Sequence, residues 1–188
     1  MIVEKLQFKR VAGPSSPAIT LAEVKADLRV FSNFFDELIL SHIEAAIATL
    51  DGPQSGLANR CLGVQTYEVF LRTGLQVFEA PIADGVELIS AQLIDGTDFS
   101  VSTVQAVALF HSDRAVIRLA ETPYLAFDNP EAPNVKLTVR MGLNPVPANA
   151  KNAIKMLVRA AWAGDPKGEY EAAFRRVLPT FRITPGNV

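Results

Sequence analysis

The spacing of apolar and polar residues changes period twice along this chain. In residues 17–30, PAITLAEVKADLRV, Leu21, Val24 and Leu28 fall on one stripe at helical spacing. Thr20 is a suitable N-cap. Glu23, three residues on, completes a capping box in which each side chain takes the other residue's backbone N–H. Ile19 before the cap and Val24 after it can close a hydrophobic staple, so the pattern predicts a helix over 20–30. Ser32 or Asn33 then caps a second helix over 33–50. Its stripe is Phe35, Leu38, Ile39, Ile43, Ala46, Ile47 and Leu50, with His42 on or beside it. DGPQSG (51–56) stops it.

The middle of the chain alternates. TYEVFLR (66–72) sets Tyr67, Val69 and Leu71 against Glu68, Phe70 and Arg72. GVELISAQLIDG (85–96) opposes Val86, Leu88, Ser90 and Gln92 to Glu87, Ile89, Ala91 and Leu93, and ends in the hairpin signal Asp95-Gly96. DFSVS (98–102), RAVIRLA (114–120) and NVKLTVRMG (134–142) are further strands, and together they predict an antiparallel β unit.

Helical spacing returns after Pro145 and Pro147, with Ala150, Ile154, Leu157, Val158 and Ala161 apolar, Trp162 near the end and Gly164 at the C-cap. Asp165-Pro166 can cap a last helix over 167–178, which Pro179 ends. The expected fold is α+β: a small bundle of two N-terminal and two C-terminal helices with an inserted antiparallel β unit. As one domain over 1–188, the bundle takes 19–51 and 146–178 and the β unit about 62–143. Residues 1–18 are expected as an irregular arm and 179–188 as a flexible tail.

Composition changes this picture little. About half of the 188 residues are hydrophobic, enough for a real core, and the net charge of −2 gives no global case for nucleic-acid binding. Cys61 is the single cysteine, so an intrachain disulfide is impossible. No apolar run reaches the length of a membrane span, and MIVEKLQFKR lacks a signal-peptide core, so a soluble chain made in the cytoplasm is expected. GxSxG, Walker A, GxGxxG and HExxH patterns are absent. His42 reads as a packed or edge histidine, His111 as part of the turn HSDR, and Cys61 as a small buried side chain. Neither catalytic, cofactor-binding nor metal-binding residues are assigned.

Two basic features remain. Lys151, Lys155 and Arg159 recur at i, i+4 and i+8 on the face opposite the apolar stripe. They form either a solvated face or a contact with an acidic partner surface or passing DNA. Phe174, Arg175, Arg176, Val177, Leu178, Phe181 and Arg182 mix apolar and basic residues near the C-terminus. They form either a docking arm or a segment packed back on the bundle.

The order of the pieces carries a resemblance. Thr20, Leu21, Glu23, Lys25, Leu28, Arg29 and Val30 match a T-L-x-E-x-K-x-x-L-R-V opening. Gln65, Thr66, Tyr67 and Glu68 match a Q-T-[YW]-E strand, and Pro147, Lys151, Ala153, Ile154, Leu157, Val158 and Trp162 match a late helix. In this order, over about residues 17 to 182, they resemble the head–tail connector (adaptor) proteins of long-tailed bacteriophages and phage-derived gene transfer agents. The sequence departs from that pattern after the first helix, where FSNFFDE stands in place of an acidic run.

The resemblance implies a structural, non-enzymatic virion neck protein, made in the host bacterial cytoplasm. It implies a homo-oligomeric ring, dodecameric in the particle, that joins the capsid portal to a stopper or tail protein. Double-stranded DNA passes transiently through the ring, and no cofactor or membrane is involved. The C-terminal residues from Phe174 to Arg182 are then portal-binding candidates, and Lys151, Lys155 and Arg159 subunit-interface or channel candidates. Two alternatives stand beside this reading: an intracellular ligand-binding or regulatory module, and another neck protein such as a stopper or tail terminator.

Overall fold

The computed structural model describes residues 4–53, 59–94, 101–123, 133–164 and 168–180. The fold is α+β, with four α-helices and two antiparallel sheets among the described residues. The chain divides into two compact units. Among the described residues, one holds the chain to Pro14 together with Val64–Gly142; the other holds Ser15–Gly63 and Leu143 to Thr180.

The helical unit contains α1 (Leu21–Leu28), α2 (Asp36–Leu50), α3 (Ala148–Ala163) and α4 (Glu169–Val177). Its core gathers Ile19 and Val24 around α1, Ile39, Ile43, Ala46 and Leu50 from α2, Ala150, Ala153, Ile154 and Val158 from α3, and Phe174 from α4. Small residues on α3 let neighbouring helices approach closely. Of the expected stripe of α2, Ile39, Ile43, Ala46 and Leu50 are buried. Leu38 is exposed, and Phe35 lies in a 3-10 turn, Asn33–Phe35, before the helix starts. Helix α1 is shorter than expected: Arg29 adopts a left-handed conformation (φ 58°), and Val30 N–H bonds back to the Lys25 carbonyl at 3.0 Å. That is a Schellman-type ending without its usual glycine, so the sequence carries no stop signal there.

The β unit has a five-stranded sheet in the order β1-β2-β8-β4-β5. Its strands are β1 (Glu4–Ala12), β2 (Gln65–Arg72), β4 (Gly85–Ile94), β5 (Val101–Val104) and β8 (Val135–Met141). A second sheet orders β3 (Val77–Ala80), β7 (Ala115–Leu119) and β6 (Ala106–Phe110) as β3-β7-β6. The alternation in β2 and β8 is realised across their ladder, where Tyr67, Val69 and Leu71 stand opposite Val139, Leu137 and Val135, all buried. Strand β1 replaces the irregular arm expected at the N-terminus. It is an edge strand with charged and mostly exposed side chains, so its hydrophobic pattern is faint. In β4, register shifts between Gly85 and Glu87 and between Leu88 and Ser90 break the expected alternation, and Ala91 alone is buried there. The Asp95-Gly96 turn and Asp165-Pro166 lie outside the described residues.

Two local devices hold the β unit. Gly85 leaves room for the Phe110 ring: a Cβ at this position would stand 1.9 Å from Phe110 Cδ1. Asn134, just before β8, extends the ladder with its side chain. Its Oδ1 accepts the Thr73 N–H at 3.0 Å, and its Nδ2 donates to the Thr73 carbonyl at 2.8 Å. Both residues are buried. Asn134→Ala is expected to orphan both Thr73 backbone groups and to cost about 1–3 kcal/mol, read as a lower urea midpoint. An unchanged midpoint would mean that water replaces the amide.

Candidate assembly surfaces

Four surfaces of the helical and β units bear on function, and each follows from local sequence. The first is the face of α1 toward α3. The capping box is complete: Thr20 Oγ1 accepts the Glu23 N–H at 3.2 Å, and Glu23 Oε2 accepts the Thr20 N–H at 2.8 Å. The second carboxylate oxygen of Glu23 receives Lys151 Nζ at 2.8 Å. One turn on, Asp27 takes a two-pronged bond from the Arg159 guanidinium at 2.6 and 2.7 Å. The i, i+4 carboxylates of α1 thus meet the i, i+8 bases of α3. Lys151 and Arg159 are therefore engaged within the chain, and of the predicted basic stripe Lys155 alone makes no ion pair among the described residues.

These bonds shift one titration. Lys151, and after it the Thr20 backbone N–H, hold the Glu23 carboxyl down from its ordinary 4.5 to about 2. A depressed folded-state pKa contributes stability that is fully present above about 4.5 and is lost as pH falls through 2. Thermal melts over that window should show a steeper loss for the wild type than for Glu23→Gln, which has no carboxylate to protonate. Parallel slopes would separate Glu23 from the acid response.

The second surface is α4 with its following turn. Phe174 is buried in the helical core, and Val177 and Leu178 pack against it. Leu178–Thr180 form a 3-10 turn, where Asn149 Nδ2 donates to Thr180 Oγ1 at 3.0 Å. Arg175 and Arg176 are exposed, while Phe181 and Arg182 lie outside the described residues. Phe174→Ala is expected to cost about 3–5 kcal/mol, against about 0.5 kcal/mol or less for Arg176→Ala. Equal, small losses in chemical denaturation would place Phe174 outside the core.

The third surface was not singled out from the sequence. Between α1 and α2, Phe31 is 90% and Phe34 86% exposed. The segment that presents them is tied at several points. Ser32 Oγ accepts the Phe34 N–H at 3.2 Å, and Lys25 Nζ donates to Asn33 Oδ1 at 2.9 Å and also bonds Asp36. Phe34 stacks edge-to-face on Phe35 with centroids 4.9 Å apart, and Phe35 does the same on Trp162 of α3 at 5.4 Å. The available signal was three phenylalanines in the five residues FSNFF, with Phe31 and Phe34 outside the expected helical stripe.

The fourth surface is the outward face of the β3-β7-β6 sheet, where Val77, Val107 and Leu109 are exposed beside Arg118. A cleft of about 510 Å³ runs along β4, β5, β6 and β7, lined mainly by apolar side chains. His111 sits in the turn between β6 and β7, His42 is half-buried on α2, and Cys61 is fully buried. Among the described residues, no group of three or more His, Cys, Asp or Glu side chains is placed to hold a metal ion, and no helix is long and apolar enough to cross a membrane.

The chain matches no protein-family model and no curated protein. Its fold matches chains in solved structures over nearly their whole length. One belongs to the virion of a native gene transfer agent particle, with TM-score 0.67, 18% identity, and coverage of 95% of this chain and 96% of that one. Two others come from necks of such particles, each 15% identical and covering 97% of this chain and 98% of the other. The neck of the native particle, computed with C12 symmetry, gives TM-score 0.62, and the neck of the empty particle, computed with C6 symmetry, gives 0.61. At these identities the likeness establishes a shared fold.

Proposed function

We propose that this chain is a structural subunit of the neck of a phage-like particle, and within the neck the adaptor: a ring between the capsid portal and the stopper or tail. The observation that carries the reading is the end-to-end fold match to a chain of a gene transfer agent neck computed with C12 symmetry. The order of the capped first helix, the Gln65–Glu68 strand and the Pro147–Trp162 helix supports it independently. A ring subunit makes head-to-tail contacts through two different surfaces, and this chain exposes apolar side chains on both of its units.

Within this reading, the portal is met by the exposed Arg175 and Arg176 of α4 and by Phe181 and Arg182 beyond it. Phe174, Val177 and Leu178 hold that helix in place. Lys155 is left for a neighbouring subunit, because Lys151 and Arg159 are spent on α1. Double-stranded DNA crosses the ring without being gripped, in keeping with a net charge of −2.

The test is to mix the purified chain with the portal complex of the same particle and image the product by electron microscopy. A ring on the narrow end of the portal is the expected product, absent for Arg175→Glu/Arg176→Glu although that variant melts like the wild type. A stable small oligomer that ignores the portal would overturn the adaptor reading.

A further inference from the structure

The ring reading leaves open how one copy grips the next, and two features on different units bear on that question. Phe31 and Phe34 project from the helical unit almost wholly uncovered, yet their segment is held by Ser32, by Lys25 and by the Phe35–Trp162 stack. Solvent-exposed aromatic rings held in place lose little freedom on binding, which is the character of an interface anchor. The β unit carries a concave, mainly apolar surface. Its cleft of about 510 Å³ is lined by Ile89, Ala91, Val104, Val107 and Leu119, with Arg118 among its lining residues.

Resting on the ring reading, we infer that the Phe31–Phe34 knob of one copy seats in the β4–β7 cleft of the next copy. The occupant is a second copy for two reasons. Knob and cleft are different surfaces of one chain, which is what a closed head-to-tail ring requires and a two-fold dimer does not. Their charges also agree, because exposed Glu37 follows the knob and exposed Arg118 lines the cleft. The knob is the anchor of a wider contact, since a standard interface buries about 800 Å² per partner.

The experiment links copies covalently on the portal-bound assembly. The single native cysteine, Cys61, is fully buried, so introduced thiols report without interference. Treated with a short bis-maleimide, a mixture of Phe34→Cys and Val107→Cys subunits is expected to give linked pairs containing one of each. Each variant alone should give none, and the double variant should give a ladder of linked oligomers. Phe31→Ser/Phe34→Ser should melt like the wild type and associate at least tenfold more weakly in sedimentation.

Two results would sink the knob while leaving the ring standing: pairs from Phe34→Cys alone, or an intact wild-type ring whose variants never link. A wild-type chain that stays monomeric with and without portal would remove both the ring and the knob.

Discussion

The helical unit depends on the ionic clamp between α1 and α3. Helix α1 has eight residues, too few to persist alone in water. Its stability must come from its ends and from the surface it packs on. Glu23 serves both needs with one carboxylate, since one oxygen closes the capping box and the other receives Lys151. Asp27 repeats the tie one turn later through Arg159. The pairs are partly exposed, so each alone is modest and weakened by salt. Together they set the position of α1 on α3, and hence where the chain leaves α1 at Arg29. Everything the segment from Phe31 to Phe35 does follows from that exit point.

The same logic explains how a linker rich in phenylalanine can be ordered without being buried. Lys25, on α1, bonds both Asn33 and Asp36, which stand on either side of Phe34. Phe35 turns inward onto Trp162 and forms a base for Phe34. The order of the loop therefore comes from polar bonds and two edge-to-face aromatic contacts, Phe34 on Phe35 and Phe35 on Trp162. Exposing such rings has a cost in solubility. A monomer gains nothing from holding them out, whereas a subunit that must be grasped in one orientation does.

Much of this fold was legible in the sequence because its strongest signals are local. The Thr20–Glu23 box, the alternation of Gln65–Leu71 and Val135–Met141, and the apolar spacing of α3 are each readable within a short window, and the alternation and the α3 spacing describe buried faces. What escaped was non-local or unburied. Strand β1 pairs at an edge and shows charge where a central strand shows valine. Strand β3 is four residues long, and β6 reads as a continuous apolar run, AVALF, with no alternation to mark its faces. The bulges of β4 undo a pattern that looked regular. The basic stripe of α3 was visible, but its partners lie more than a hundred positions away on α1, so periodicity alone could not distinguish an internal clamp from an outward face.

That distinction bears on how surfaces of this chain should be read. Lys151 and Arg159 looked available on the helix and are engaged by α1; Phe174, Val177 and Leu178 read equally as an arm or as a packed segment, and Phe174 belongs to the core with the other two packed against it. Phe31 and Phe34, which any hydrophobic count would assign to the interior, are the side chains left outside. The physical reason is the same in each case. A short helix can be held by charge, by burial or by both: α1 has its ion pairs to α3 as well as the burial of Val24, while α4 is held by burial of Phe174. With α1 held in these ways and Phe35 packed on Trp162, Phe31 and Phe34 are not consumed in packing. They remain as an apolar projection on a chain that also carries an apolar cleft, and the proposed contact between copies rests on that combination.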